Sequence, residues 1–189
     1  SRGASFTFPP IWRWKSWKDG GVSTKVERNY LEINSLKDLK KSKFSPDDCL
    51  IDLSDPTDFQ INKFFYKNIG KKHRWTDRLV WSDDDWIKYV SNKKVETYIL
   101  KINNDLAGYF ELIFHSEIKE IEIAYFGLLE EYQNKRIGGH LLSEAIKKSF
   151  LNEEIKRVWV HTCTFDHKNA LNNYLARGMT IYKTETIKI

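Results

Sequence analysis

The chain has 189 residues, 41% of them hydrophobic and 30% charged, a balance typical of one globular domain with a full core. No run approaches the ~20 apolar residues of a membrane helix, and no signal-peptide pattern opens the sequence, so no membrane association is expected. Cys49 and Cys163 lie far apart, which fits a reduced, cytoplasmic protein better than a disulfide framework.

The net charge of +5 is unevenly distributed. Residues 1–20 hold four Lys or Arg against one Asp and so carry +3, which leaves only +2 for the rest. We therefore divide the chain into a basic, tryptophan-rich N-terminal extension (1–21) and a single domain (22–189). The extension could contact nucleic acid or a membrane surface, or it could pack its tryptophans on the domain or on a partner subunit. Because the body is nearly neutral, nucleic acid is not the expected partner.

The first half of the domain predicts two strands and two helices. Strands are expected at 24–33 and 49–53, separated by a short helix or loop at 36–43. A helix follows from Phe59 to Ile69, with Gly70 as its C-cap. A second helix begins after Ser82 as N-cap, and Trp81 and Trp86 then occupy the N′ and N4 positions of a hydrophobic staple.

The second half predicts a three-stranded antiparallel meander, followed by alternating helices and strands. The meander is expected at 95–102, 106–114 and 117–128, and the later elements are a helix at 138–151, a strand at 157–162, a helix at 166–177 and a strand at 180–187. This order indicates an α/β (α+β) fold, in which helices cover both faces of a mixed sheet.

The stretch from Ile121 to Phe150 joins a strand to a helix through a charged turn that contains glycines. The first N–H groups of a helix lack intrahelical acceptors, and the helix dipole is positive there. Gly138 and Gly139 allow close approach of the main chain to a ligand, while Lys135 and Arg136 add positive charge. The stretch therefore predicts a cradle for a diphosphate.

Two segments carry a resemblance to a known family. The segment 133–138, Gln-Asn-Lys-Arg-Ile-Gly, resembles the Gln/Arg-x-x-Gly-x-Gly/Ala signature of the GNAT superfamily of acyl-CoA-dependent N-acyltransferases, although Arg136 replaces the first glycine. The segment 167–179 resembles the family's Asn-x-x-Ala-x-x-x-Tyr-x-x-x-Gly-Phe. There Ala170, Tyr174 and Gly178 match, whereas His167 and Met179 differ. The resemblance covers roughly residues 48–187.

The resemblance implies a mostly antiparallel sheet of six or seven strands that splays between the fourth and fifth strands of the family's sheet. Acetyl-CoA would be the co-substrate, its pantetheine arm pairing with the main chain of Phe126, Gly127 and Leu128. Its phosphates would meet the N–H groups of Gln133, Asn134, Lys135, Arg136, Ile137, Gly138 and Gly139. His167 and Asn169, at the start of the late helix, are expected beside the cofactor.

Glu122 is the expected general base, because some family members use a glutamate on the strand before the phosphate turn. Alternation places its side chain with Ala124 and Phe126, opposite Ile121, Ile123 and Tyr125, and burial should raise its pKa. Glu111, on the neighbouring strand, is the rival base. Alternatively, Glu122 belongs to a solvated charged row with Glu117, Lys119 and Glu120.

Tyr174 is the expected general acid, since in many relatives a tyrosine at this position lies near the coenzyme sulfur. A phenol can donate a proton to a departing thiolate. The alternative is an ordinary core aromatic.

The expected acceptor is a small-molecule or protein amine. Trp75 and Arg78 lie in a loop without an evident structural role and are candidate acceptor contacts, as is Glu111, with Trp75 offering cation–π contact. No metal site is expected, because a single His-x-Cys-x₃-His (161–167) supplies too few ligands for structural zinc.

These observations predict an N-acetyltransferase in which the amine attacks directly within a ternary complex. One alternative is a non-catalytic acyl-CoA sensor, suggested by Arg136 in place of glycine. A weaker one is a nucleic-acid module built on the basic extension, which predicts strongly salt-dependent binding. A homodimer is also expected, because an additional N-terminal strand often packs against a partner.

Overall fold

The structure, a computed structural model, describes residues 25–188. The N-terminal extension predicted at 1–21 lies outside these residues. The described chain forms seven strands and four α-helices: β1 (Lys25–Ile33), β2 (Cys49–Leu53), α1 (Phe59–Gly70), α2 (Asp83–Val90), β3 (Val95–Ile102), β4 (Asp105–His115), β5 (Glu120–Leu128), α3 (Ile137–Ser149), β6 (Arg157–Cys163), α4 (Ala170–Ala176) and β7 (Thr180–Lys188). Among these residues no helix is long and apolar enough to cross a membrane.

One mixed sheet organises the described chain, with the strand order β2-β3-β4-β5-β6-β1-β7. Every neighbouring pair is antiparallel except β5 and β6, which are parallel. The predicted fold class and the predicted meander of β3, β4 and β5 are therefore confirmed. The β3–β4 connection has two residues, Asn103 and Asn104, both with positive φ, as a tight hairpin turn requires.

The position of β1 was not expected from the sequence. This strand lies between β6 and β7 and pairs antiparallel with both. Both of its edges are thus used within its own chain, so β1 is not available to pair with a second copy.

Helices cover both faces of the sheet. On one face, α3 packs Leu141, Leu142, Ala145 and Ile146 against the sheet with no exposed surface. Burying a leucine or isoleucine side chain contributes about 1.5–3 kcal/mol, so this helix is firmly attached. On the other face, α1 and α2 bury Phe65, Tyr66, Ile69 and Trp86 against aromatic residues of the sheet.

The start of α2 agrees with the prediction. Ser82 and Asp85 form a capping box, and the rings of Trp81 and Trp86 meet edge to face at 5.0 Å between centroids. The end of α1 differs slightly, because Gly70 is the last helical residue and Lys71 is the C-cap. Gly70 allows Trp75 to pack closely against the end of α1, since a Cβ at position 70 would lie 2.5 Å from Cβ of Trp75.

A bulge in β5 changes which side chains share a face. Glu111 pairs with Tyr125 and Leu112 with Ile123, so Ala124 is the extra residue. Ala124 and Tyr125 both contact the α1–α2 side, whereas Phe126 joins Ile123 on the α3 side. The predicted alternation was therefore wrong for Tyr125 and Phe126, because a bulge restarts the two-residue period.

Candidate active site

The parallel strands β5 and β6 separate after a short paired stretch. Pairing is limited to Glu120–Glu122 with Arg157–Trp159, and within the described chain the remainder of β5 has no strand partner on that side, although the Gln133 side chain donates to the Leu128 carbonyl at 3.1 Å. The separation opens a V-shaped cleft that leads into a cavity of about 300 Å³, lined by the ends of both strands. The predicted splay of the sheet is present, at β5 and β6 when the strands are counted from β1.

A left-handed turn leads from β5 into α3 at the floor of this cleft. Asn134 has φ 59° and Arg136 has φ 65°. Arg136 thus adopts the backbone conformation that favours glycine, the residue the family has there. Arg136 is also the N-cap of α3, and its side chain accepts no hydrogen bond from the helix, so the first N–H groups of α3 remain available to an anion.

Most residues predicted for the diphosphate cradle line the cavity. They are Gln133, Asn134, Arg136, Gly138 and Gly139. Lys135 is exposed outside the cavity, and Ile137 is 5% exposed within the core, so only its peptide group remains a candidate contact.

The glycines at the start of α3 have different surroundings. A Cβ on Gly139 would lie 2.7 Å from Nη1 of Arg177 and 3.2 Å from Oγ of Ser42, whereas a Cβ on Gly138 would meet only ordinary contacts. The side-chain amide of Asn173 donates to the carbonyl oxygen of Gly138 at 3.0 Å and so fastens α4 to the turn. A side chain at 139 would therefore have to displace the end of the Arg177 side chain, whereas one at 138 would displace nothing.

The edge of β5 that faces the cleft lines the cavity with Phe126, Gly127 and Leu128. The opposite wall of the cavity includes His167 and Asn169. A Cβ on Gly127 would lie 2.7 Å from Cγ2 of Ile69, so glycine lets α1 approach this strand. The helix that was predicted from Asp166 begins only after Asn169, because Asp166 accepts hydrogen bonds from Thr162 and from the Cys163 N–H in a preceding turn.

Tyr174 projects from α4 into the cavity wall, with its ring centroid 6.3 Å from that of Phe126. Burial, and secondarily the negative charge of Asp166, raises the pKa of Tyr174, so the hydroxyl keeps its proton. No residue between 25 and 188 forms a hydrogen bond with this hydroxyl. Tyr174 is thus a protonated donor beside the unpaired edge of β5.

Glu122 lies at the apex of the V, as the last residue of β5 that pairs with β6. Its carboxylate is 3.0 Å from Nε2 of His115 and is almost fully buried. It shares a face with Ile113, its partner on β4, and so points to the α1–α2 side. It does not line the cavity, so it would need a water molecule to reach a substrate there.

The loop between α1 and α2 supplies a carboxylate that the sequence analysis missed. Asp77 lines the cavity and accepts a hydrogen bond from Tyr66 at 2.7 Å. Tyr125 donates to both of its oxygens, at 2.8 and 3.0 Å. The ring of Trp75 meets that of Tyr125 edge to face at 4.9 Å. We call Trp75, Asp77, Tyr125 and Tyr66 the acceptor end of the cleft.

Arg78 and Glu111, both predicted acceptor contacts, are placed together away from the cavity. They form a buried ion pair, 3% and 0% exposed, with Nη1 of Arg78 at 3.0 and 3.2 Å from the two carboxylate oxygens. Asn62 and Tyr89 each donate a further hydrogen bond to Glu111 at 2.8 Å. The structure thus gives these two residues a scaffolding position behind the acceptor end.

His161 and Cys163 line the wall of the cavity formed by β6. Burial, together with the nearby charge of Arg28, lowers the pKa of His161 to about 3, so its imidazole is neutral at physiological pH. Burial also raises the pKa of the Cys163 thiol, which keeps it protonated. Within residues 25–188, no group of three or more His, Cys, Asp or Glu side chains could hold a metal ion.

A splayed sheet whose opening ends at an uncapped helix N-terminus defines an acyltransferase-type cleft. Residues 59–179, more than half of the chain, match the Acetyltransferase (GNAT) family, and the chain therefore belongs to that family. The predicted superfamily is confirmed, and its members generally take the acyl group from acetyl-CoA. Comparison with curated protein sequences gives no match.

Solved structures share the fold at low sequence identity. A GCN5-related N-acetyltransferase from Sphaerobacter thermophilus matches with a TM-score of 0.67 and 10% identity over 88% of this chain and 52% of its own. A functionally unknown conserved protein from Staphylococcus epidermidis matches with a TM-score of 0.57 and 19% identity, and the match covers 87% of this chain and 61% of that protein. The aminoglycoside acetyltransferase meta-AAC0020 from an uncultured soil sample matches with a TM-score of 0.57 and 13% identity. This match covers 69% of this chain and 87% of that protein. The chain thus spans little more than half the length of the first two proteins.

Proposed function

We infer that the protein is an N-acetyltransferase that moves the acetyl group of acetyl-CoA to a primary amine by direct attack within a ternary complex. The observation that carries this proposal is the opening between β5 and β6, which leaves Phe126, Gly127 and Leu128 without a strand partner on the β6 side in the described chain and leads to the N-terminus of α3, which has no side-chain cap. An extended pantetheine arm fits the first feature and a diphosphate fits the second.

Proton transfer completes the reaction. As the nitrogen–carbon bond forms and the carbon–sulfur bond breaks, the amine loses a proton and the thiolate gains one. Tyr174 is proposed as the donor to the thiolate, because it borders the cavity and retains its proton. Glu122 is proposed as the acceptor of the amine proton through water, since it lies at the apex where the strands part.

The non-catalytic sensor is the second candidate. It is favoured by the position of Glu122, whose carboxylate is held by His115 and does not line the cavity. A sensor would bind acetyl-CoA without consuming it.

A thiol-release assay with acetyl-CoA, longer acyl-CoAs and a panel of amines separates the two candidates. For an enzyme, Glu122→Gln should lower kcat by about 10²–10⁴-fold, the usual contribution of a general base. Acetyl-CoA affinity measured by calorimetry should not change. Glu117→Gln, which neutralises an exposed carboxylate just before the same strand, is the matched control and should keep full activity. Heat of acetyl-CoA binding without thiol release from any amine would favour the sensor, and absence of both would refute the proposed function.

A further inference from the structure

The acceptor end of the cleft carries a negative charge that no cation in the described chain balances. Asp77 lines the cavity, and its partners are the hydroxyls of Tyr66 and Tyr125. Burial, together with the charge of Asp77 itself, raises the pKa of both hydroxyls, so they remain neutral donors. Between residues 25 and 188, Asp77 forms no salt bridge.

The adjacent guanidinium does not neutralise Asp77. The Cζ atom of Arg78 lies 4.1 Å from the ring centroid of Tyr125, but both of its close carboxylate contacts are with Glu111. Because the Arg78–Glu111 pair is neutral as a unit, the buried side of the α1–α2 loop retains the single negative charge of Asp77.

The other arginines that line the cavity form no ion pair with Asp77 in residues 25–188, although Arg74 is on the same loop. Arg74 stacks on Phe165 at 4.3 Å, beyond the end of β6, while Arg28 lies on β1 and Arg136 on the turn before α3. The cavity wall beside Asp77 includes the ring of Trp75, and an aromatic ring attracts an ammonium ion, whereas one face of Tyr125 is already occupied by Arg78 at 4.1 Å.

We propose that Asp77 binds an ammonium group of the acceptor, and that the acceptor is a diamine or polyamine in which another amino group is acetylated. This inference rests on the proposed function. The hydroxyl of Tyr125 contacts Asp77, so the length of a tyrosine side chain separates this carboxylate from the main chain of β5. An amine that attacks a thioester held along β5 is therefore a different nitrogen from the one bound at Asp77.

The two nitrogens have separate fates in the reaction. The attacking nitrogen loses its proton and becomes an amide, and the proton from Tyr174 goes to the departing thiolate. The nitrogen at Asp77 keeps its proton and charge throughout. Asp77 is thus an acceptor-binding residue that sets specificity, and it has no part in proton transfer.

The test compares acceptors that differ only in the second amino group. At saturating acetyl-CoA, kcat/KM for 1,4-diaminobutane and its longer homologues should exceed that for the matching 1-aminoalkanes by about 10- to 100-fold, the size expected for one hydrogen-bonded charge pair. Asp77→Asn should reduce this preference to less than about threefold by raising KM for the diamines. The readout is the ratio of kcat/KM for diamines to kcat/KM for monoamines, and affinity for acetyl-CoA should stay as in the wild type. Asp84→Asn, which removes an exposed charge from the first turn of α2, should keep the full preference.

The possible results distinguish failure of this inference from failure of the proposed function. Equal kcat/KM for diamines and monoamines in the wild type overturns the inference and leaves the proposed function standing, and this measurement suffices if Asp77→Asn does not fold. An Asp77→Asn protein that loses activity equally with both acceptor types also overturns it, since that pattern reports a structural role. Absence of thiol release from every amine refutes the proposed function itself.

Discussion

The carrier end of the cleft comes from one continuous piece of chain, whereas the acceptor end is assembled from two pieces that are distant in sequence, residues 66–77 and Tyr125. The carrier end comprises the unpaired edge of β5 and the turn from Gln133 to Gly139, and it offers a ligand mainly peptide groups. The acceptor end takes Tyr66 from α1, Trp75 and Asp77 from the following loop, and Tyr125 from β5, and it offers side chains.

This difference suggests how proteins of one fold can bind the same acyl carrier while they bind different acceptor amines. Contacts made by the main chain tolerate substitution, as Arg136 in a position typical of glycine illustrates. Contacts made by Asp77 depend on its charge, on two phenols and on the ion pair behind them. Substitutions should therefore affect the two ends differently.

The largest expected effect is on stability, at the ion pair behind the acceptor end. Glu111→Ala should lower the free energy of unfolding by about 3–5 kcal/mol, because it leaves the Arg78 charge buried without a partner. Urea denaturation measures this loss. Replacing both residues, as in Arg78→Met with Glu111→Leu, should recover much of it, since apolar residues of similar volume can substitute for a buried pair.

The matched control is an ion pair at the surface. Glu154→Ala removes the partner of Lys119 in an exposed contact of 3.5 Å and should cost less than about 1 kcal/mol. If Glu111→Ala were instead as stable as this control but unable to release thiol, Glu111 would be the general base, which is the rival role that the sequence left open.

The carrier end was largely predictable because its information is local. A strand, a turn with glycines and an amphipathic helix follow one another within 30 residues, so their order alone places a helix N-terminus at the end of β5. The order of motifs also identified the family. The left-handed backbone conformation of Arg136 could not be predicted from the sequence, since a non-glycine residue rarely adopts it.

Apart from Trp75, the acceptor end could not be predicted, because its loop has no periodicity. Between Trp75 and Arg78, nothing in the sequence tells which charged side chain turns inward, and the structure buries Arg78 and presents Asp77 to the cavity. The bulge at Ala124 carries no glycine or proline signal. The place of β1 between β6 and β7 depends on pairing between distant segments, which local patterns do not encode.

Tyr174 lies between the two ends, and its substitution is expected to have the next largest effect, on kcat. Tyr174→Phe should lower kcat about 10²-fold, because it removes the proposed proton donor, while KM for the amine and affinity for acetyl-CoA stay nearly constant. Steady-state kinetics with calorimetry measures all three quantities. Tyr182→Phe, which removes a hydroxyl from a half-exposed ring on β7, is the control. An unchanged kcat would show Tyr174 to be an ordinary core aromatic.

The smallest expected effect is at the carrier end. Arg136→Gly relieves a left-handed conformation that costs roughly 1–2 kcal/mol, but glycine also adds freedom to the unfolded chain worth about 0.4–1 kcal/mol. The net gain in unfolding free energy should be about 1 kcal/mol or less, measurable by urea denaturation. Asn134→Gly, in the same turn, should gain less, because asparagine tolerates positive φ. Since peptide groups are proposed to hold the phosphates, Arg136→Gly should weaken acetyl-CoA binding by less than about tenfold, or about 1.4 kcal/mol. A much larger loss would mean that the arginine side chain holds the phosphates and that the carrier end, like the acceptor end, depends on a single charge.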